Sequence, residues 1–296
     1  MQKDTIGFGL AGNFAHHLEQ AGEAKDFIAC ENGAMPDAPK GIFPFYIPRA
    51  QGALGRYCVD SHTIILPENP AKRVQAEPEI ALECEIIYES MASADTTENT
   101  QKRVVRVEPK FFMACNDTSV RDDPTATKLS QKKNFSAGSK GIGEKIAIDR
   151  FCAGGVCDSY SIASFIRHAN GRFQPYGECS LLTSYSYFHE RLLEWIAYKL
   201  NTQKDCGVLE DLPSVLSSAG YPTRALFFIG ATCYMERYEQ YRLESGDEIA
   251  IAAFPHTRYS LDQVRAWLDS MGSMASLDSS DTLEGVSLLR QIVQKP

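Results

Sequence analysis

Apolar and acidic residues alternate along Ala76 to Ile87, the stretch whose order most clearly predicts a β-strand. Side chains on a strand point to opposite faces in turn, so one predicted face is apolar and the other carries four carboxylates. The apolar face holds Pro78, Ile80, Leu82, Cys84 and Ile86, and the acidic face holds Glu77, Glu79, Ala81, Glu83 and Glu85. The spacing leaves two interpretations open: a solvated edge strand kept soluble by charge, or a partly buried row neutralised by a hard divalent cation.

The same alternation predicts further strands and makes the chain mostly β (α+β), with a few helices outside the core. Asn170-Gly171 indicates a tight hairpin. Helical spacing predicts a helix at Tyr187–Leu200, and Ser260 with Gln263 forms a capping box for another. The predicted strands are Ile6 to about Gly12, Ser61–Pro67, Ala76–Ile87, Tyr160–Phe173, Ala225–Cys233 and Leu243–Phe254, and a last helix is predicted at Leu283–Val293.

Two polar segments show no apolar periodicity and are predicted to be loops. Glu89–Lys102 is acidic and threonine-rich, which is typical of an exposed loop. Lys128–Ile148 is basic and glycine-rich, but it lacks the GK[ST] ending of a phosphate-binding P-loop, so we interpret it as a flexible loop.

Composition excludes several classes of function. The chain has 296 residues and a formal net charge of −8, and its basic residues are scattered, which argues against nucleic acid as a partner. No apolar run approaches the length of a membrane span, and the first thirty residues do not resemble a signal peptide. Nine cysteines without CxxC pairs indicate reduced thiols, so we expect a cytoplasmic protein.

Two stretches carry candidate chemistry, and each has an ordinary alternative. Phe111–Asp123 passes from an apolar run into a polar cluster, which is typical of a strand that delivers side chains to a site; the alternative is a helix start. GNFAHHLEQ, which begins at Gly12, places two histidines at the start of a predicted helix, where a solvated histidine is the common case.

Read in order, six motifs resemble those of the fumarylacetoacetate hydrolase family. They are GNFAHHLEQ, AEPEIALE, NDTSVRD, KKNF, NGRFQ and LESGDEI, and they span roughly Gly7 to Phe254. The resemblance implies a mixed β-sandwich roll, usually a homodimer, that binds Mg²⁺, Mn²⁺ or Ca²⁺. The implied metal ligands are Glu77, Glu79 and Asp117, a set of oxygen donors that suits such ions.

The resemblance also implies the remaining site residues. His17 matches the histidine that activates water, Glu19 lies one position before the family's orienting glutamate, where this chain has Gln20, and Lys133 matches the lysine that stabilises negative charge. The implied substrate-binding residues are Arg121, Thr232 and Asn13. The chain departs from the family's pattern at Gln20, at Pro124 and in SAGSKGIG after the lysine.

The activity implied is metal-dependent hydrolysis of a C–C bond in a small acylpyruvate-like or β-diketo acid. Decarboxylation, hydration, isomerisation and a non-catalytic metal-binding role are the alternatives. The predicted organisation is an N-terminal segment that carries the histidine loop (1–60), a fumarylacetoacetase-like catalytic domain (61–256) and a C-terminal helical extension (257–296).

Overall fold

The computed structural model describes residues 4–15, 17–22, 25, 27, 37–91, 101–121, 123–169, 171–272 and 283–296. Most of the predicted loop after Glu89 (92–100), Asn170 of the predicted hairpin and His16 lie outside these residues. None of the described helices is long and apolar enough to cross a membrane.

The described residues form five α-helices and fifteen strands, which confirms the prediction of a mostly β chain. The helices are α1 (His17–Ala21), α2 (Leu129–Lys133), α3 (His189–Thr202), α4 (Leu212–Ser218) and α5 (Leu261–Ser270). The strands are β1 (Ile6–Ala11), β2 (Gly41–Tyr46), β3 (Thr63–Ile65), β4 (Val74–Gln75), β5 (Pro78–Ser90), β6 (Lys102–Asp117), β7 (Ser119–Val120), β8 (Lys140–Ile142), β9 (Ile146–Ala147), β10 (Tyr160–Arg167), β11 (Gln174–Pro175), β12 (Ser180–Leu181), β13 (Arg224–Phe228), β14 (Glu248–Pro255) and β15 (Ser287–Gln294).

Two sheets build the core. The first has the order β2-β1-β13-β5-β6-β8, with β9 also paired to β6, and the second has the order β11-β10-β14-β15-β3, with β12 also paired to β10. The largest apolar cluster draws Ile80 and Leu82 from β5 together with Ile162 of β10 and Ile251 of β14, so it lies between the sheets. Burial of this shared face is the main stabilising term of the sandwich.

β5 is an interior strand of the first sheet, paired antiparallel with β13 on one side and β6 on the other. The solvated edge-strand interpretation is therefore wrong. Ala81 on the acidic face belongs to a second apolar cluster with Phe43 and Met113, which covers the side of the sheet opposite the main core. The acidic row is buried at its start and emerges into solvent toward Glu85.

The C-terminal segment is a strand and not the predicted helix at Leu283–Val293. β15 pairs antiparallel with β14 and parallel with β3, so it fills a place inside the second sheet. The apolar residues of this segment fit the periodicity of a helix as well as that of a strand. Hydrogen bonding to two neighbouring strands makes the segment a strand. The boundaries at residues 60 and 256 stay predictions.

The predicted flexible loop at Lys128–Ile148 is also wrong, because this stretch contains α2, β8 and β9. β8 pairs with the end of β6, which sets Lys140 opposite Asp117. The helix at α3 and the capping box of α5 are confirmed.

The cysteines follow the prediction with one exception. Seven of them are free, most of them buried, but Cys206 is disulfide-bonded, so the expectation that all nine are reduced is wrong there.

Candidate metal centre

Glu77, Glu79 and Asp117 converge at one end of the β5–β6 pair. The antiparallel register sets Pro78 opposite Asn116 and Glu79 opposite Cys115, which places Glu77 across from Asp117. One ligand oxygen from each carboxylate lies within 4.8 Å of the other two, and all three side chains are buried. Three buried oxygen donors at this spacing are what a hard divalent cation requires.

Cations surround Glu77. Arg121 Nη2 lies 2.8 Å from Glu77 Oε1, and Lys133 Nζ lies 2.6 Å from Oε2. Burial alone would raise the pKa of Glu77, but the charges of Arg121 and Lys133 outweigh it and hold that pKa well below its usual range. Glu77 is therefore an anion throughout the neutral range.

Glu79 has the opposite environment, although it lies only two residues further along the strand. Its Oε2 accepts a hydrogen bond from the Gly230 amide at 2.9 Å, and no ion pair among the described residues includes it. Burial, with the neighbouring Asp117 carboxylate, raises the pKa of Glu79 well above its usual range. A buried carboxyl left without its own cation fits a site that takes up a metal ion.

Two lysines flank Asp117. Lys133 Nζ lies 3.0 Å from Oδ2, and Lys140 Nζ lies 2.7 Å from Oδ1. Asp117 Oδ1 accepts no hydrogen bond of good geometry from the described residues, so it retains a lone pair that a cation can use. The donor set of Glu77, Glu79 and Asp117 therefore fits a divalent ion such as Mg²⁺ or Mn²⁺.

His17 faces the same cluster from α1. Its Nδ1 lies 3.0 Å from the Thr232 carbonyl oxygen, and its Nε2 lies 3.8 Å from Glu77 Oε2. A carbonyl oxygen only accepts, so Nδ1 carries the proton in this contact and the neutral ring has its lone pair on Nε2. The ring also packs against Tyr234, with centroids 5.3 Å apart.

Gln20, at the place of the family's glutamate, has partners other than His17. Its Nε2 donates to Glu239 Oε1 at 3.0 Å, and its Oε1 accepts from the Tyr234 amide at 3.0 Å. A main-chain carbonyl, that of Thr232, takes the orienting role. The side chain of Glu19 lies outside the described part of the structure, so its predicted role is untested.

The predicted substrate-binding residues occupy three different settings. Arg121 is buried beside Glu77, and it also donates to Gln75 Oε1 and to the Tyr234 hydroxyl. Thr232 donates from Oγ1 to the Pro78 carbonyl at 3.2 Å. Asn13 uses both amide hydrogens on the carbonyls of Tyr187 and Ile229, so it joins chain segments at this end of the fold. Their roles toward a substrate stay predictions.

Sequence reasoning missed several polar residues of the site, above all Lys140. Ser119 donates to Glu77 Oε1, and the Glu77 amide donates to Asn116 Oδ1 at 3.0 Å. Lys140 lies in SAGSKGIG, which we interpreted as a flexible loop. Only the pairing of β8 with β6 brings it to Asp117, and no local sequence pattern signals that pairing.

Glu83 and Glu85 lie beyond the centre and have partners of their own. Glu83 pairs with Lys145, and Glu85 Oε2 lies 3.5 Å from Lys110 Nζ. The acidic row is thus divided between a buried start, which holds the candidate metal ligands, and an ion-paired, more exposed end.

The cavity beside the centre is small. Its volume is about 10 Å³, and its lining includes His17, Glu77, Lys133, Phe43 and Leu129. A space of this size holds at most one water molecule. A substrate does not fit into this space as it stands.

A model of a family of unknown function, DUF5718, matches residues 23–293. No curated protein matches the sequence. Among solved structures, the chain is similar to 5-carboxymethyl-2-hydroxymuconate delta-isomerase from Mycobacterium smegmatis, with a TM-score of 0.51 and 16% identity over 99% of this chain and 79% of that one. It is similar to Cg1458, crystallised with an inhibitor, with a TM-score of 0.51 and 17% identity over 99% and 77%. These likenesses confirm the predicted fold, that of the fumarylacetoacetate hydrolase superfamily.

Proposed function

We propose that this chain, which belongs to DUF5718, a family of unknown function, is a divalent-metal-dependent hydrolase. Its substrate would be a small acylpyruvate-like or β-diketo acid, cleaved at a C–C bond. The observation that carries the proposal is the convergence of three buried carboxylates with His17, whose Nε2 is 3.8 Å from one of them.

Glu77, Glu79 and Asp117 would hold the ion, and the predicted choice is Mg²⁺, Mn²⁺ or Ca²⁺. When bound, such an ion polarises the carbonyl oxygen of a chelating 2-oxo acid. Three protein ligands leave coordination positions open for the two oxygens of that acid.

His17 is the proposed general base. The Thr232 carbonyl holds the proton on Nδ1, so Nε2 is free to take a proton from water on the side of the carboxylates. Water then adds to the acyl carbonyl carbon, the bond from that carbon to the methylene carbon breaks, and the methylene carbon takes up a proton.

Lys133 and Arg121 supply positive charge around the reacting atoms. Lys133 lines the small cavity and is buried, so its ammonium acts in a water-poor setting on negative charge that develops on the substrate. Arg121 is fixed by Gln75 and Tyr234, and its charge keeps Glu77 ionised.

A non-catalytic metal-binding protein is the second candidate function. The observation that favours it is Gln20, which bonds Tyr234 and Glu239 and leaves His17 with a neutral carbonyl as its partner. A carbonyl stabilises an imidazolium less than a carboxylate would, which weakens the histidine as a base.

The test is a panel of acylpyruvates and β-diketo acids, assayed with Mg²⁺ and with chelator. We expect turnover only with the metal. Glu79→Gln should lose both metal and turnover, whereas His17→Asn should lose about 10²-fold or more in kcat and keep the metal. Glu85→Gln, an exposed carboxyl on the same strand, is the matched control and should behave as the wild type.

Product analysis by NMR separates the related activities. A hydrolase releases two acids, a decarboxylase releases CO₂, and an isomerase gives a product of unchanged mass. A folded, metal-loaded protein that turns over no member of the panel would support the non-catalytic candidate.

A further inference from the structure

Lys140 is a buried cation that the proposed chemistry does not use. Its side chain is 0% exposed, and its Nζ lies 2.7 Å from Asp117 Oδ1. It stands in SAGSKGIG, the segment in which the sequence departs from the family's pattern. The residue therefore adds a positive charge at a predicted metal ligand.

Main-chain oxygens hold the Lys140 ammonium in place. It donates to the carbonyls of Thr118 at 3.4 Å and Ser139 at 3.3 Å, and to that of Lys133. These acceptors are the residue directly after Asp117, Lys133 itself and the residue directly before Lys140. The backbone thus holds the charge beside the carboxylate while no metal ion is bound.

Cations already pair with two of the three predicted ligands before any metal is added. Glu77 pairs with Arg121 and Lys133, and Asp117 pairs with Lys133 and Lys140. With Lys133 alone, Asp117 would have one oxygen free of an ammonium neighbour. With Lys140, both of its oxygens lie beside an ammonium group.

We propose that Lys140 is a built-in competitor of the divalent cation at Asp117 and lowers the metal affinity of the triad. The proposal rests on the metal site of the proposed function. An ion bound at Asp117 Oδ1 lies within a few ångströms of the Lys140 charge. The repulsion between like charges at that distance in a protein exceeds the free energy that corresponds to a tenfold change in binding.

The experiment is a titration of the metal-free protein with Mn²⁺, in which the electron paramagnetic resonance signal reports free Mn²⁺. The variants are Lys140→Met, which keeps the length of the side chain, and Lys140→Gln, which keeps a hydrogen-bond donor. We expect each folded variant to bind Mn²⁺ at least about tenfold more tightly than the wild type. Lys145→Met removes a more exposed lysine nearby and should leave the affinity unchanged.

Circular dichroism and gel filtration establish that each variant is folded. An affinity within about twofold of the wild type, or a weaker one, in a folded Lys140 variant would overturn the role of Lys140 while leaving the metal site intact. No Mn²⁺ binding by the wild type and by the folded variants would overturn the metal site itself, and this inference with it.

A second measurement needs no variant. In a wild-type crystal soaked with Mn²⁺, we expect Lys140 Nζ and Asp117 Oδ1 to be separated well beyond their present 2.7 Å. A bound ion on Glu77, Glu79 and Asp117 with the ammonium still at its present distance would contradict competition.

Discussion

Glu77, directly before β5, and Glu79 within it are only two residues apart, yet the protein shifts their pKa values in opposite directions. Arg121 and Lys133 lower the pKa of Glu77 against the effect of burial, whereas burial and Asp117 raise that of Glu79. Strand alternation predicts that the two carboxyls share a face. Strand alternation does not predict which carboxyl lies beside the cations, because Arg121 and Lys133 are 40 or more positions away in the chain.

Glu210 gives a pH dependence that can be measured apart from the metal. It accepts a hydrogen bond from Ser130 of α2, and burial raises its pKa from 4.5 to about 7. In the folded protein this carboxyl keeps its proton up to about pH 7, whereas in the unfolded chain it loses the proton near 4.5. Its stabilising contribution is therefore complete below the unfolded pKa and is lost as the pH rises through the folded one.

We expect the free energy of unfolding of the wild type, relative to that of Glu210→Gln, to fall by on the order of 2 kcal/mol between about pH 4.5 and about pH 8. The glutamine stays neutral throughout, and urea denaturation at several pH values provides the measurement. Glu68→Gln, at an exposed carboxyl, should follow the wild-type profile. A constant difference between wild type and Glu210→Gln would show that Glu210 has an ordinary pKa.

At the scale of elements, the sequence predicts the strands that alternate clearly and the helices with regular spacing. β5, the polar end of β6, α3 and the cap of α5 are all of this kind. α2 and β8 are too short, at five and three residues, for a periodic pattern to predict them. β15 is longer, but it is a strand because it pairs with partners distant in the chain. Two of these elements carry residues of the candidate site: α2 carries Lys133 and β8 carries Lys140.

β15 supports the candidate metal ligands through a relay of hydrogen bonds. Gln291 Oε1 accepts from Asn116 Nδ2 at 2.8 Å, and Asn116 Oδ1 accepts from the Glu77 amide at 3.0 Å. Gln291 Nε2 also donates to the Thr63 carbonyl at 3.2 Å. A strand of the second sheet thus fixes the end of the β5–β6 pair in the first.

Gln291→Leu should destabilise the protein by about 2–3 kcal/mol, because it leaves the buried Asn116 amide and main-chain carbonyls without partners. It should also weaken Mn²⁺ binding, since Asn116 no longer has a fixed orientation beside Asp117. Urea denaturation and metal titration measure the two effects. Gln294→Leu, at an exposed position of the same strand, should change neither. Wild-type stability in Gln291→Leu would mean that the relay carries no net energy.

At the scale of the whole molecule, the order of six motifs predicted the superfamily fold, and the structural likenesses confirm it. The pairing of the two sheets could not be predicted in the same way. β1 and β15, from opposite ends of the chain, both lie inside sheets, and such long-range pairings leave no local pattern.

A divalent ion that binds only the folded triad should stabilise the entire fold by mass action. In a thermal denaturation experiment, an excess of Mg²⁺ should raise the Tm of the metal-free protein by a few degrees, since about 1 kcal/mol corresponds to about 2–4 °C for a chain of this order of size. Chelator should reverse the shift. Glu79→Gln should show none, and an equal shift in that variant would indicate that Mg²⁺ binds elsewhere.

The backbone, more than side chains, orients two key groups: the Thr232 carbonyl holds His17, and the carbonyls of Thr118, Lys133 and Ser139 hold Lys140. Every residue type offers the same carbonyl oxygen. Where the side chain has no other role, as at positions 118 and 139, the residue is therefore free to diverge in evolution while the contact persists. Relatives that share this arrangement will be recognised by the path of their main chain even where the residue letters at 118 and 139 differ.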